Sequence, residues 1–270
     1  MNKISCVVIT CNESTNIRRC LESISWADEI IVVDSYSTDN TREISSEFTD
    51  KIFELKWEGF GPAKEHARKL ASGKWLLSLD ADEVVSQKLR EEIQGIADSE
   101  QPLDGYFIPR KSVFLGRWIK HGGWYPDFVL RFFRNDKGKF TARLVHEEVE
   151  VCGKCGYMKN DLLHRTDPDF DHYLSKLNRY TTIDATQLLK EGKKAGLPDI
   201  LLRPAVTFFK MYFFKRGFLD GLPGVILAVS SAFHVFSKYV KLWHLYQPKG
   251  EEGSPERVSR SLQESTLQKG

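Results

Sequence analysis

The sequence lacks most of the features that mark a specialised class of protein. It has only five cysteines, three methionines and a formal net charge of +2. Its longest run without a charged residue, positions 221–237, is shorter than the roughly 20 apolar residues that a membrane-spanning helix needs. We therefore expect neither a disulfide-built secreted domain, nor a membrane-spanning chain, nor a nucleic-acid-binding protein.

The overall composition is that of a globular protein. Of 270 residues, 41% are hydrophobic and 28% are charged, and a chain of this length buries a core without disulfides or a structural metal. Cys6, Cys11 and Cys20 fall in a predicted strand and helix, which fits thiols in a reducing compartment. Cys152 and Cys155 form one CxxC motif, which is either a turn or half of a zinc site. No signal-peptide pattern opens the sequence, so we expect a cytoplasmic protein.

Apolar and amphipathic segments alternate over the first hundred residues, which predicts an α/β fold with a mostly parallel sheet. Strands are predicted at 4–10, 29–34, 51–55 and 75–79, and helices at 16–25, at 41–48, from Pro62 and from Ser86 to about 96. Shorter strands follow at 105–109, 129–133 and 145–151. We expect an α/β domain over 1–165, a helical extension over 166–247 and a disordered polar tail over 248–270.

The helical extension contains a basic and aromatic segment. Residues 171–247 include eleven Lys or Arg and five Asp or Glu, and the stretch 208–218 interleaves aromatic rings with Lys210, Lys215 and Arg216. Such a segment can lie on a membrane, with its rings among the headgroups and its cations against anionic lipid. An ordinary helix that buries Phe and extends Lys into water has the same composition. We favour the membrane interpretation because it accounts for the excess of positive charge.

Polar clusters follow the first, second and fourth predicted strands, at Thr10–Glu13, Asp34–Asp39 and Asp80–Glu83. Ligands bind beyond the carboxyl ends of parallel strands, so these clusters predict one site. Asp80 and Asp82 are spaced i, i+2 and can face one cavity, where carboxylate oxygens suit Mg²⁺ or Mn²⁺ bridging to a diphosphate. The same two residues would also fit a solvated turn before a helix.

Three motifs together resemble the family 2 glycosyltransferases: Val8–Glu13, Ile31–Thr41 and Ala71–Glu83, the last with a DxD sequence. Within that family the sequence is similar to bacterial lipopolysaccharide-core β-glucosyltransferases, also through Gly123–Asp127 and Gly217–Gly221. The resemblance implies a GT-A fold, Rossmann-like, with helices on both faces of a mostly parallel sheet. It implies an inverting transferase that moves a hexose from a nucleotide donor, UDP-sugar by default. The implied acceptor is a lipid-linked saccharide at the cytoplasmic face of the inner membrane.

The resemblance also implies roles for individual residues and a divalent cation, Mg²⁺ or Mn²⁺, as cofactor. Ser35 and Glu65 stand where many members have Asp and Asn, which leaves the nucleotide base open. The implied nucleoside and phosphate contacts are Thr10, Asn12, Glu13, Asp34 and Lys64. Asp80 would hold the ribose or a water on the metal, Asp82 would bind the metal directly, and His164 would complete the metal's shell.

The general base is predicted from the alternation along residues 145–151. Glu147 shares a face with three valines, and a carboxylate on an apolar face has a raised pKa, which suits a base. In the family, an acidic residue near this point of the chain is commonly the base. Asp127 is the second candidate. It follows an aromatic loop, residues 118–125, whose rings either stack on acceptor sugars or pack into the core.

Other functions are compatible with the same residues. Asp80-Ala-Asp82-Glu-Val84 fits the DxDx(T/V) pattern of phosphohydrolases that resemble the haloacid dehalogenases, with Asp80 as nucleophile and Asp82 as general acid. That pattern normally follows the first strand, whereas three predicted strands precede it here. A non-catalytic module that binds a nucleotide sugar or a membrane is the third hypothesis. Arg131 and Arg134, three apart on a strand, should point to opposite faces, so at most one reaches the site.

Overall fold

The computed structural model describes residues 3–141, 149–167 and 169–247. Glu147 and the predicted tail 248–270 lie outside the described residues. The strands are β1 Ile4–Thr10, β2 Glu29–Asp34, β3 Ile52–Glu54, β4 Trp75–Asp80, β5 Glu83–Val85, β6 Gly105–Phe114, β7 Arg117–Trp118, β8 Asp127–Arg134, β9 Gly138–Phe140, β10 Val149–Val151, β11 Cys155–Tyr157 and β12 Leu162–Asp167. The α-helices are α1 Ile17–Ser23, α2 Thr41–Ser46, α3 Phe60–Leu70, α4 Gln87–Ala97, α5 Phe170–Lys190, α6 Leu197–Phe209 and α7 Leu222–Tyr246.

The main sheet has the strand order β3-β2-β1-β4-β8-β6-β12-β5, and its first four strands are parallel. Every residue of β1 is buried, as expected for a strand covered on both faces. Helices α1 and α4 pack on one face with Cys6 and Val8, and α3 packs on the other with Val7 and Ile9. The predicted α/β class, with a mostly parallel sheet and helices on both faces, is confirmed.

Antiparallel strands extend the parallel core. Strand β8 pairs with β4, and its other neighbour is β6, while β12 pairs with β5 so that His164 lies opposite Glu83. The ring of Trp75 stacks on Phe132 with centroids 4.7 Å apart, which packs the first antiparallel strand against the parallel core. These pairings bring residues from 127–134 and 162–164 to the end of β4.

Two helix starts test the predicted caps. Ser86 caps α4 by accepting a hydrogen bond from the Leu89 amide at 3.3 Å, as predicted. The prediction that Pro62 is the first residue of α3 is wrong, because the helix begins two residues earlier, at Phe60. Gly59 precedes it with a φ of 120°, a backbone conformation that glycine adopts without steric cost. Its permissive backbone allows the helix to start immediately after the loop.

The described residues form two compact units. The first comprises residues up to Lys111 together with Asp127–His164, and the second comprises Ser112–Pro126 and the chain from Arg165. The second unit is predominantly helical and has its own apolar cluster, around Phe114, Ile119 and Leu227. A C-terminal helical region therefore follows the sheet, as the sequence predicted.

Helix α7 is longer than the sequence analysis allowed for. It runs through Lys238 and Lys241 to Tyr246, because a helix does not end where the uncharged run ends. By length and composition it could cross a membrane. The expectation that no segment reaches spanning length is therefore wrong for α7.

Candidate active site

The loops that follow β1 and β2 are joined by hydrogen bonds. The amide of Asn12 donates to Ser37 Oγ at 2.8 Å, and the side-chain oxygen of Asn12 accepts from the Thr38 amide at 2.8 Å. The buried carboxylate of Asp34 accepts from the Ser37 amide at 2.8 Å. Asn12 adopts a φ of 54°, a conformation that Asn tolerates better than most residues. Asn12 and Asp34 thus fix the shape of the sheet edge at which a ligand was predicted.

Two further residues of the first polar cluster lie at the same edge. The amide of Glu13 donates to Thr41 Oγ1 at 2.8 Å, and its carboxylate accepts from the Asn16 side chain at 2.8 Å. Thr10 is 5% exposed, and its Oγ1 has no hydrogen-bond partner among the described residues. A buried hydroxyl without a partner is unusual in a folded protein. It marks the end of β1 as a place where a ligand's polar atom would be stabilised.

Asp80, at the end of β4, is held between two cations. Its Oδ1 lies 2.8 Å from the Nζ of Lys64, which is fully buried, and its Oδ2 is paired with the guanidinium of Arg131. Burial alone would raise the pKa of Asp80, but the charges of Arg131 and Lys64 outweigh it and hold that pKa well below its ordinary value. Asp80 is therefore a carboxylate that stays ionised.

Glu83 is the buried centre of the same ionic group. One carboxylate oxygen accepts from Arg131 at 2.9 Å and lies 3.5 Å from an Arg110 nitrogen, and the other accepts from the Asp80 amide at 3.0 Å. Glu83 is completely buried, and a buried carboxylate is tolerated only when it is paired. Its contacts with two guanidinium groups supply that pairing and fix the backbone between Asp80 and β5.

Arg110 connects Glu83 to Asp127. Two of its nitrogens donate to Asp127 Oδ2, at 2.9 and 2.6 Å, while Oδ1 accepts no hydrogen bond from the described residues. Burial would lower the pKa of Arg110, but the carboxylates of Glu83 and Asp127 raise it. Cations and anions therefore alternate along a row that we call the ionic row: Lys64, Asp80, Arg131, Glu83, Arg110 and Asp127.

Asp82 and His164 meet beside this row. The Asp82 Oδ2 lies 3.3 Å from the His164 Nε2, because β12 is antiparallel to β5 with His164 opposite Glu83. One carboxylate and one imidazole are ligands that Mn²⁺ accepts. Ions such as Mg²⁺ that have few protein ligands take the rest of their ligands from substrate phosphates and water. Within the described residues no group of three His, Cys, Asp or Glu could hold a metal. The pair fits a cation that arrives with a diphosphate.

The profile of Glycosyl transferase family 2 matches residues 5–164, the range that contains the loops, the ionic row and the Asp82–His164 pair. The chain belongs to glycosyltransferase family 2. It is 27% identical, over 95% of its length and 97% of the relative's, to the lipopolysaccharide core biosynthesis glycosyltransferase LpsC of Rhizobium meliloti. It is 29% identical to an uncharacterized glycosyltransferase of Rickettsia conorii, over 89% of each chain.

Among solved structures, the fold is similar to that of S. aureus TarS in complex with UDP-GlcNAc. That match has a TM-score of 0.47 and 17% identity, and it covers 98% of this chain and 92% of the other. The match of the family profile to residues 5–164 confirms the predicted family and removes the phosphohydrolase alternative.

In this family 2 transferase, the ionic row contains three residues that sequence reasoning did not assign. Of the two strand arginines, Arg131 joins the row, whereas Arg134 pairs with Asp136 at 3.3 Å, as the strand alternation allowed. Glu83 directly follows the two aspartates of the DxD motif, and this position was the sequence signal that could have identified it. No sequence signal pointed to Arg110, since its role depends on the cross-strand pairing with Asp127.

Two departures from the family pattern have explanations in the structure. Glu65 is not part of the ionic row: it pairs with Arg68 at 2.8 Å and accepts from the Phe140 amide at 3.1 Å, which fixes α3 against β9. Ser35 continues the β1–β2 pairing, since its amide donates to the Thr10 carbonyl at 2.9 Å. Both residues therefore stabilise the strands and the helix that surround the site.

The aromatic loop of residues 118–125 belongs to the second unit, and its rings divide between two environments. Trp124 packs edge-on against Phe114, with centroids 5.8 Å apart, in the apolar cluster of that unit. Trp118 and Tyr125 instead contact each other edge-on at 5.3 Å. The core interpretation is thus correct for Trp124.

Proposed function

We propose that this chain is an inverting hexosyltransferase that moves a sugar, such as glucose, from a UDP-sugar to a lipid-linked saccharide acceptor of the lipopolysaccharide inner core. The observation that carries the proposal is the approach of Asp82 and His164 to 3.3 Å beside an Asp80 that stays ionised. The acceptor class is supported by the similarity to LpsC, whose name refers to lipopolysaccharide core biosynthesis. UDP is the nucleotide that the family resemblance implies.

The donor would bind at the carboxyl ends of β1, β2 and β4. We assign the nucleoside to the edge formed by Thr10, Asn12, Glu13 and Asp34, where the unpartnered Thr10 hydroxyl can meet a polar atom of the ligand. Lys64 and Asp80 complete the donor site, since the ionised Asp80 carboxylate can accept hydrogen bonds from ribose hydroxyls or water.

Asp82 and His164 would hold a divalent cation, Mg²⁺ or Mn²⁺. When bound, such a cation is a Lewis acid that stabilises the negative charge on a departing diphosphate. The chain's own contribution is to place the two side chains together: β12 pairs with β5, which begins directly after Asp82, so that His164 lies opposite Glu83. Asp82 is 15% exposed and His164 12% exposed at the side chain, so both are shielded from most solvent.

The acceptor hydroxyl must lose a proton as it attacks the anomeric carbon, which requires a general base. Glu147 remains our first candidate and Asp127 the second. The side chain of Asp127 is 40% exposed, and its Oδ1 is not used by Arg110, so this oxygen can receive a proton while Arg110 fixes the carboxylate's orientation. If Asp127 is the base, transfer should also depend on Arg110, which orients its carboxylate.

We place the enzyme at the cytoplasmic face of the inner membrane as a peripheral protein. In this proposal residues 1–165 form the catalytic domain and residues 166–247 the membrane-associating extension. The support is the basic and aromatic composition of the extension and the large apolar side chains that it exposes, among them Phe209, Phe213 and Phe214.

A transfer assay tests the proposed function. Purified protein is incubated with radiolabelled UDP-glucose, with other UDP-hexoses in parallel, and with lipopolysaccharide truncated in the inner core. We expect label in the lipid-linked product with Mn²⁺ or Mg²⁺ and none with EDTA or with Asp82→Asn. Asp136→Asn, an exposed carboxylate paired with Arg134, is the matched control and should retain activity. Equal transfer in EDTA, or by the Asp82→Asn protein, would contradict the metal assignment.

A further inference from the structure

Helix α6 and the turn after it expose a continuous apolar stripe. No residue of α6 is buried, and its last residue leads directly into a π-helical turn, Lys210–Phe214. Leu202, Val206, Phe209 and Phe213 are each more than half exposed and are spaced by four, three and four residues, so they lie on one side of the helix. We call these four residues, together with Phe214 and Phe218, the apolar stripe.

Positive charge predominates around the apolar stripe, where Arg203 is paired with Asp199 at 2.6 Å. Residues 200–219 contain Arg203, Lys210, Lys215 and Arg216 and no Asp or Glu. Cations flank the rings of the π-helical turn, with Lys210 before them and Lys215 and Arg216 after them, and Phe214 is 84% exposed. Exposed apolar patches of this kind mark interaction sites, and a cationic rim selects a partner with negative charge. An anionic lipid surface has both properties, since it offers acyl chains below a layer of negative headgroups.

The apolar length of α7 suggests a different topology, a helix that crosses the bilayer, but its contacts with α5 argue against it. Lys241 Nζ donates to the Asn178 carbonyl and to Thr181 Oγ1, both at 2.7 Å, and His234 Nε2 lies 3.5 Å from Asp184 Oδ2. Because Asn178 contacts Lys241 and Asp184 contacts His234, helix α5 runs antiparallel to α7.

This pairing fixes the depth at which α5 would lie if α7 crossed. His234 is near the middle of the 25-residue helix, so Asp184 would be near the bilayer centre. Charged side chains there are costly and are found facing a protein interior or water. Helix α5 also carries Asp171, Lys176 and Arg179, which would have to enter the headgroups or the hydrocarbon with it.

We propose that the apolar stripe and its cations bind one leaflet of an anionic bilayer, and that α7 packs beside the stripe without crossing the membrane. This inference rests on the proposed function for its partner, the membrane that carries the acceptor. It narrows the membrane-associating extension to the apolar stripe and its cations, and it adds a structural reason for the peripheral topology, the pairing of α5 with α7.

Vesicle flotation tests the surface. The full chain is mixed with vesicles of phosphatidylglycerol and phosphatidylethanolamine, and with neutral vesicles of phosphatidylcholine. We expect the combined change Lys210→Glu, Lys215→Glu and Arg216→Glu to weaken binding to anionic vesicles at least about 100-fold, since each cation near the surface contributes about a factor of five. Unchanged flotation of this variant would overturn the assignment of the surface.

Two controls separate the stripe from general effects. Lys190→Glu with Lys193→Glu and Lys194→Glu changes the net charge equally in the same unit and should leave most of the binding in place. Tyr157→Ser removes an exposed ring of the first unit and should bind as the unmodified protein does, whereas Phe214→Ser should bind more weakly. An equal loss in the lysine control and the stripe variant would contradict a localised surface.

Protease protection tests the topology. The chain beyond α7 contains the trypsin sites Arg257 and Arg260. In sealed inverted inner-membrane vesicles, whose cytoplasmic face is outside, both sites should be cleaved with or without detergent. Cleavage only after detergent would show that α7 crosses and would overturn the one-leaflet topology.

Light scattering and nucleotide binding on the same samples resolve the remaining outcomes. A dimer that the Phe214→Ser change dissociates, with no vesicle binding, would show that a second copy of the chain occupies the stripe and would overturn the proposal. Vesicle binding by a protein that binds no nucleotide would uphold this inference and contradict the proposed function. The two failures are therefore distinguishable.

Discussion

The contact between Lys64 and Asp80 gives a prediction that can be worked out in numbers. Lys64 is fully buried and its Nζ lies 2.8 Å from Asp80. Lys64→Met keeps most of the side-chain volume but leaves Asp80 with Arg131, which also pairs with Glu83. Removing one partner of a buried pair costs about 3 kcal/mol or more. For a chain of this size that lowers the melting temperature by roughly 6–12 °C.

A double-mutant cycle isolates the pair. Lys64→Met, Asp80→Asn and the double variant are compared with the unmodified protein by thermal and urea unfolding, and the double variant should lose about 2 kcal/mol less than the sum of the single losses. The folded pKa of Asp80 is lowered, so its stabilisation is fully present above the unfolded pKa and is lost only as the pH falls through the folded value. The coupling should therefore be constant between about pH 5 and about pH 8. Additive losses, or a coupling that varies in that range, would refute the reasoning.

Three further predictions concern other sites. Asp82→Asn should abolish metal-dependent nucleotide binding with a change in melting temperature of only a few degrees, measured by calorimetry; retained binding would be inconsistent with its role as a ligand. Glu29 accepts from the Ser72 amide at 2.8 Å and pairs with a lysine, and its pKa falls from 4.5 to about 2. Glu29→Gln should therefore cost about 3 kcal/mol at neutral pH, and the cost should vanish as the pH falls from 4.5 towards 2; a cost independent of pH would be incompatible with this. Asp220→Asn should lower the free energy of unfolding by about 1–3 kcal/mol, because Asp220 accepts from the His121 amide at 2.8 Å and pairs with its ring; equal stability would show that these bonds are dispensable.

The sequence predicted the parallel half of the sheet well, for a physical reason. Strands β1, β2 and β4 are buried on both faces, so each is a continuous apolar run, and the polar residues Thr10, Asp34 and Asp80 mark their ends. Parallel strands also make the location of a site predictable, since their carboxyl ends share one edge. The candidate donor residues could therefore be named from the sequence.

The ionic row was harder to predict because it depends on long-range pairing. Arg131 reaches Asp80 because β8 is antiparallel to β4, and an irregularity in the β6–β8 register lies next to it. Neither the direction of β8 nor that irregularity is encoded in a local pattern. Glu65 shows the same limit, since it accepts from the Phe140 amide, 75 residues further along the chain.

The end of α7 illustrates a different limit. The uncharged run stops at Ser237 because Lys238 follows it, yet the helix continues to Tyr246. A later lysine of the same helix, Lys241, donates to oxygen acceptors on α5 and so joins the two helices. The length of the uncharged run therefore underestimated the length of the helix.

The central claim is that the edge around Asp80, Asp82 and His164 binds a nucleotide through a divalent cation. It is tested most directly by thermal unfolding with UDP, GDP, CDP and dTDP, each with Mn²⁺ and with EDTA. A ligand at a hundred times its dissociation constant stabilises the fold by roughly 2.7 kcal/mol, a readily measured shift. We predict a shift with UDP and Mn²⁺ that disappears in EDTA and in the Asp82→Asn protein. No shift with any nucleotide, or a shift of equal size in EDTA, would contradict the account.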